Sequence, residues 1–175
     1  MHKKPYLTFI FVLFSILALN AQQKEWGSGL RVGEPGGFMI RKYFKNGVNA
    51  LEVNFGTYGG LWGTNRSYKA GTFQNIGYTI NAIYLWHHPT ILNPNIQTYY
   101  GFGPQYTVRD YYAPKQSLAT EIVKGLGGAA IGGVEFFPIE APNLSFFAEL
   151  GFYSEIGPNP FFTHIQGGIG ARVNF

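Results

Sequence analysis

Eight ionisable side chains stand among glycine and aromatic residues, each at an alternate position of its segment, so that an extended strand would turn them to one side. They are Arg31, Arg41, Glu52, Arg109, Glu135, Glu149, His164 and Arg172. Guanidinium and carboxylate groups can form salt bridges, or they can pass protons or ions where a continuous water column joins them. In a narrow, poorly hydrated space we expect them to pair, because an isolated buried charge is costly.

The other reactive residue types do not form a catalytic or metal-binding pattern. His87 and His88 stand beside Pro89, where we expect a polar turn, and no further ligands occur at a metal-binding spacing. His164 is not followed by a serine, as nucleophilic catalysis at this position would require. The glycine-rich stretch at 125–128 lacks the Lys-Ser or Lys-Thr of a phosphate loop. The sequence therefore predicts no catalytic residue, no cofactor and no metal ion.

Eight segments must position the ionisable side chains, and in each of them apolar residues alternate with glycine or polar residues. We place these strands at 25–33, 37–45, 48–58, 72–87, 97–111, 125–137, 144–153 and 161–175. Asn46-Gly47 is a strong hairpin signal between the second and third strands. Pro104 cannot donate a ladder hydrogen bond, so we expect a β-bulge there.

The longer connections also carry predictions. We expect a polar loop over 59–71 and a long loop over 110–124, with a helical turn over 118–124. Aromatic residues collect at both ends of the strands and predict two interfacial girdles. The two sets are Trp26, Phe44, Trp86, Tyr99, Tyr100, Phe136 and Phe175 at one end, and Tyr58, Phe73, Tyr106, Tyr111, Tyr112, Phe152 and Phe161 at the other.

The composition is poor in charge and rich in aromatic residues: charged residues make up 13% and aromatic residues 18% of the chain, with 24 glycines. Beyond residue 21 no apolar run is long enough for a membrane-spanning helix. A closed barrel satisfies its backbone hydrogen bonds between strands and needs only one apolar face on each strand. We therefore predict an all-β protein, an eight-stranded antiparallel up-and-down transmembrane β-barrel.

The N-terminus has the pattern of a cleaved signal peptide. Lys3 and Lys4 precede an apolar stretch at 6–19, and Ala21 ends a plausible cleavage site. We predict a signal peptide at 1–21 and a barrel domain at 22–175. Without the two lysines, 11 basic residues face nine acidic ones, and this balance gives no basic patch for nucleic acid. Cysteine is absent from the chain, so disulfides cannot stabilise the fold.

Four stretches resemble the small eight-stranded outer-membrane barrels of Gram-negative bacteria of the OmpX and OmpA type. They are Gly36-Gly37-Phe38, 99–104, 132–136 and the closing strand 168–175, which ends on Phe175. The resemblance implies a place in the cell outer membrane, among its lipids and lipopolysaccharide. It also implies that the barrel-assembly machinery reads Phe175 as an assembly signal. The small size of the barrel favours other outer-membrane proteins as further partners.

These observations predict a barrel whose lumen is plugged by side chains. Such a barrel would act as a structural or surface-interaction protein, or as an accessory subunit of an outer-membrane assembly. Two alternatives remain open from the sequence, a membrane-embedded lipid A-modifying enzyme and a narrow pore. The enzyme lacks a catalytic constellation, and the pore requires a water column that eight strands rarely leave.

Overall fold

The computed structural model describes residues 25–62, 64–90 and 93–175. The predicted signal peptide, residues 1–21, lies outside the described residues. The strands are β1 (Trp26–Glu34), β2 (Gly36–Phe44), β3 (Asn49–Tyr58), β4 (Arg66–Tyr68), β5 (Gly71–Phe73), β6 (Gly77–Pro89), β7 (Ile96–Tyr112), β8 (Glu121–Phe136), β9 (Leu144–Gly157) and β10 (Thr163–Asn174). A 3-10 turn, Lys45–Gly47, joins β2 to β3. Over the described ranges, no helix has the length and apolar character needed to cross a membrane.

The eight long strands form one closed antiparallel barrel. Each pairs with the long strands before and after it in the sequence, and β1 pairs with β10. The backbone N–H of Trp26 donates to the carbonyl of Phe175 at 2.9 Å, and the N–H of Phe175 donates to the carbonyl of Trp26 at 2.8 Å. The predicted eight-stranded up-and-down barrel is therefore confirmed.

Alternation along the strands separates an apolar outer wall from a mixed interior. The outward side chain of Leu30 is 67% exposed and that of Leu150 is also 67% exposed, whereas inward Met39 is fully buried. Four aromatic residues of the predicted girdles, Tyr58, Phe73, Tyr99 and Tyr112, are instead buried. Because side chains alternate across a strand, position near a strand end does not decide which face an aromatic ring takes.

The strand pairing around Pro104 is regular. The register between β6 and β7 is the same on both sides of this proline, although rungs of the ladder are missing there. The predicted bulge at Pro104 is therefore wrong, because the missing N–H interrupts the ladder without adding a residue. The register shift lies instead between Leu126 and Gly127, where β8 pairs with β9.

The predicted long loop over 110–124 is wrong, because β7 and β8 extend into it as paired strands. Asp110 pairs with Ile122 and Tyr111 pairs with Glu121, so only 113–120 remains as the connection. The predicted helical turn over 118–124 is also wrong. Continued pairing satisfies the backbone hydrogen bonds of both segments, which a short helical turn would leave partly unpaired.

The connection between β3 and β6 contains a hairpin made of β4 and β5. We call residues 66–73 the mouth hairpin; β5 pairs with the end of β7. Tyr68 and Phe73 are buried with Val123 of β8, and Phe162, which precedes β10, packs against them. The predicted polar loop over 59–71 and the predicted strand start at residue 72 are therefore wrong. Two aromatic rings hold this segment over one end of the barrel.

Candidate functional site

Six of the eight predicted ionisable residues meet inside the barrel. We call them the central ion cluster, and they are Arg31, Arg41, Glu52, Glu135, Glu149 and Arg172. Arg41 Nη2 lies 2.6 Å from Glu52 Oε2, and Arg41 Nη1 lies 3.0 Å from Glu135 Oε2. Arg172 Nη2 lies 3.0 Å from Glu52 Oε2, and Arg172 Nη1 is bonded to Glu135. These four side chains have no exposed surface.

Glu149, the fifth member, links Arg31, the sixth, to this group. Its Oε2 lies 2.8 Å from Arg31 Nη1, and its Oε1 lies 3.8 Å from Arg41 Nη2. The Tyr99 hydroxyl donates to Glu149 Oε1 at 2.5 Å. Since three arginines now face three glutamates, the cluster carries no formal net charge.

Neutral side chains complete the hydrogen bonding of the carboxylates. The Ser145 hydroxyl donates to Glu135 Oε1 at 2.5 Å, and Asn54 Nδ2 donates to Glu52 Oε1 at 3.0 Å. Buried ion pairs recover their desolvation cost only when the remaining lone pairs are also satisfied. These contacts therefore allow six charged groups to lie in the interior together.

His87 belongs to the same region, and the sequence did not predict it there. The predicted turn at His87 is wrong, because β6 continues to Pro89 and the buried imidazole points inward. His87 Nε2 lies 3.0 Å from Arg41 Nη1. A guanidinium can only donate, so Nε2 accepts and the proton of the neutral ring is on Nδ1. The alternation already visible at Thr79 and Asn81 extends to position 87 and could have predicted this placement.

Arg109 and His164 lie apart from the central ion cluster, near the mouth hairpin. The Arg109 guanidinium lies 5.2 Å from the ring centres of both Tyr58 and Phe73. It donates to the carbonyl of Thr64 at 2.8 Å and to that of Asn75. His164 Nε2 is hydrogen bonded to the Tyr58 hydroxyl.

Two glutamates near the ends of strands anchor the mouth hairpin, and neither is among the site residues predicted from the sequence. Arg66 donates to Glu34 through Nη1 at 2.8 Å and through Nη2 at 3.3 Å. The Tyr68 hydroxyl donates to Glu155 Oε1 at 2.6 Å, and this oxygen also accepts from the N–H of Asn159 at 2.7 Å. The predicted strands 25–33 and 144–153 end before these glutamates. Glu34 nevertheless pairs with Gly167 of β10, and Glu155 continues the inward alternation of β9.

Tyr68 lies in the mouth hairpin, outside the eight long strands, and burial together with its bond to Glu155 raises its pKa above the ordinary value of 10.0. The folded state thus favours the neutral phenol, so its contribution to stability is complete below pH 10 and is lost as the pH rises. Tyr68→Phe should cost about 1 kcal/mol at about pH 9, and the difference from the unchanged chain should shrink at about pH 11. Urea unfolding in micelles measures this difference. A difference that stays constant over this pH range would contradict the assignment.

The histidines do not form a hydrolytic or metal site in the described part of the chain. His164 contacts Tyr58 and lies 3.9 Å from Glu34 Oε1, with no serine in the arrangement. Its side chain points into the barrel, where it is 6% exposed. Within the same residues, no group of three or more His, Cys, Asp or Glu side chains is placed to hold a metal ion. Among the residues that the structure describes, the interior side chains therefore pair charges, and no histidine is paired with a serine.

The solved structures similar to this chain include two with the same architecture. Neisserial surface protein A (NspA) is 15% identical over 86% of this chain and 94% of its own, with a TM-score of 0.53. The N-terminal β-barrel domain of Pseudomonas aeruginosa OprF is 14% identical over 88% of this chain and 100% of its own, with a TM-score of 0.59. No protein-family model matches the sequence, and no curated protein matches it as a relative. The chain has the fold of the small eight-stranded outer-membrane β-barrel proteins, as the resemblance in its sequence predicts.

Proposed function

We propose that this protein is a small outer-membrane β-barrel whose lumen is plugged by its own side chains, and that it acts as a structural or surface-interaction protein. The central ion cluster carries the proposal. Its six members come from β1, β2, β3, β8, β9 and β10, so their ion pairs join six of the eight long strands across the interior. A conducting column would have to break several of these pairs.

The outer wall supports the membrane part of the proposal. Outward Phe102 is 63% exposed and Tyr100 is 54% exposed, although both are large apolar rings. Lys42 lies on the same wall near a strand end, with Nζ 4.5 Å from the Trp26 ring and 3.4 Å from Glu25 Oε2. Lysine and tryptophan at such a position fit a membrane interface, where the ammonium reaches water. The surrounding partners are then outer-membrane lipids and lipopolysaccharide.

Exposed apolar residues in the connections at the mouth end support a role in surface interaction. Phe161 is 90% exposed, Leu118 is 80% exposed and Trp62 is 52% exposed. Large aromatic side chains are common anchors of protein interfaces. Membership of a larger outer-membrane assembly, as an accessory subunit, fits the same surface.

Expression of the full chain in a Gram-negative host, followed by fractionation, tests this proposal. We expect a mature protein that begins at residue 22, sediments with the outer membrane and stays there after carbonate washing. Purified protein inserted into planar bilayers should give no stepwise conductance. Recovery in the soluble periplasmic fraction would refute the membrane location, and reproducible current steps would refute the plug.

The last residue provides a separate prediction about assembly. Phe175→Ser keeps the backbone hydrogen bonds to Trp26 but removes the terminal aromatic ring. If Phe175 is the assembly signal, its loss should lower the amount of folded barrel in the outer membrane several-fold and leave refolding into micelles unchanged. Phe136→Ser is the matched control, because this ring is also outward and is 43% exposed on β8. Equal losses for both variants would show that the terminal position has no special role.

A further inference from the structure

The interior wall carries small residues between the central ion cluster and the mouth hairpin. On β3, Gly56 stands between Glu52 and Tyr58, and on β9, Gly151 follows Glu149. The inward positions of this layer on seven of the eight long strands are Gly33, Gly37, Gly56, Gly103, Ala129, Gly151 and Gly168. None of these residues sends a long side chain toward the barrel axis.

Amide side chains face the same layer. Asn54 Nδ2 donates to Asn81 Oδ1 at 2.8 Å, and Asn81 Nδ2 donates to Gln105 Oε1 at 3.2 Å. This row ends on Gln105 Nε2, which has no protein partner, and neither polar atom of Gln166 has one. Both glutamines are 1% exposed. An unpaired buried amide costs about 1 to 3 kcal/mol, so these groups call for a partner that the chain does not supply.

The layer is bounded on both sides. Below it, Arg41, Glu52, Glu135 and Arg172 have no exposed side-chain surface. Above it, the mouth hairpin is fastened by the Arg66 pair with Glu34 and by the Tyr68 bond to Glu155. The cover thus belongs to a connection rather than to the barrel wall, and polar contacts that water can replace help to hold it.

We propose that the outer half of the lumen is a closed chamber that binds small neutral hydrogen-bonding molecules, water first among them, and that the mouth hairpin is its removable cover. Neutral occupants fit because Glu34 and Glu149 are already paired with arginines, whereas Gln105 and Gln166 offer unused amide groups. This inference goes beyond the plug, which concerns the inner half of the lumen. Polar chambers of this kind hold water that bonds to otherwise unsatisfied groups.

Thiol accessibility tests the cover, because the natural chain has no cysteine. Gln166→Cys in the full chain, refolded in micelles, is treated with methyl methanethiosulfonate, a small neutral reagent. We expect slow modification, and about tenfold faster modification when Arg66→Ala is added, because loss of the bidentate pair with Glu34 favours the open hairpin. Equal modification rates with and without Arg66→Ala would overturn the proposal that the mouth hairpin covers the chamber. No modification in either variant would overturn the accessible chamber.

Two control positions make the rates interpretable. Ser67→Cys lies on the exposed face of the hairpin and should react quickly in both backgrounds. Ala50→Cys is fully buried on β3 among Ile83 and Leu85, on the other side of the ion cluster. Its rate should not respond to Arg66→Ala. A parallel increase at position 50 would mean that the whole barrel loosens, and this too would overturn the proposal.

Stability measurements test the occupant separately. In a chamber that holds water, Gln166→Leu removes a hydrogen-bonding partner of that water, so the urea midpoint should fall. In a dry site the same change would remove an unpaired buried amide, so the midpoint should rise. Ile165→Leu, at the neighbouring outward position, controls for refolding. A rise with Gln166→Leu would overturn the proposal of a hydrated chamber.

Discussion

Replacing Arg41 by methionine should lower the free energy of unfolding by about 3 to 5 kcal/mol, because the change leaves buried carboxylates without their shared cation. Arg41 lies within 3.0 Å of both Glu52 and Glu135, and it also donates to His87. Methionine is unbranched and fills irregular space, so the loss comes from charge and hydrogen bonding more than from volume. The remaining cluster would hold two arginines against three glutamates.

Urea unfolding in micelles measures this loss, and the neighbouring residue supplies the control. Lys42→Met removes a cation from the outer wall, where its only ion pair is with Glu25 among the described residues and both side chains are partly exposed. Exposed pairs contribute little, so we expect a change within about 1 kcal/mol. Adding Glu52→Gln to Arg41→Met should recover part of the stability, since it removes one unpaired charge. Equal effects for Arg41→Met and Lys42→Met would contradict the central ion cluster as a source of stability.

Side chains along a β-strand alternate between its two faces with a period of two residues, and this explains why so much of the barrel could be predicted from its sequence. Alternation fixes which residues face inward, and short turns make consecutive strands neighbours. Arg41 and Glu52 are directly opposite in the register of β2 and β3, on either side of the predicted Asn46-Gly47 turn. Their contact follows from local pattern alone.

The remaining contacts depend on closure and on side-chain reach, which alternation does not specify. Arg172 meets Glu52 because β10 closes against β1, and its long side chain then crosses the interior beyond the adjacent strand. The Arg66 contact with Glu34 depends on a hairpin inside a connection. Apolar residues have no fixed period in loops. The burial of Tyr68 and Phe73 decides the path of this connection, and it could not be predicted from their spacing.

Adjacent glycines on β8 should respond in opposite ways to the same substitution. A Cβ at inward Gly127 would lie 2.8 Å from Glu155 Cα and 2.8 Å from Tyr153 Cε2, and it would also meet the carbonyl of Ser154. Backbone atoms of a neighbouring strand cannot move aside cheaply in a closed barrel. We therefore expect Gly127→Ala to cost about 1 to 3 kcal/mol.

Gly128→Ala is the matched comparison, because the nearest atom to its Cβ would be the carbonyl oxygen of Gly103 at 3.9 Å. This position faces outward, and alanine there restricts the unfolded chain, so a gain of about 0.4 to 1 kcal/mol is expected. The same contrast should recur between Gly133, where a Cβ would lie 2.8 Å from the Ala148 carbonyl, and Gly132, whose nearest contact is at 3.8 Å. Urea midpoints of the four variants in micelles measure the difference between the inward and outward substitutions. If the inward changes cost no more than the outward ones, inward glycine is not required for the close approach of strands that lets this wall curve into a barrel.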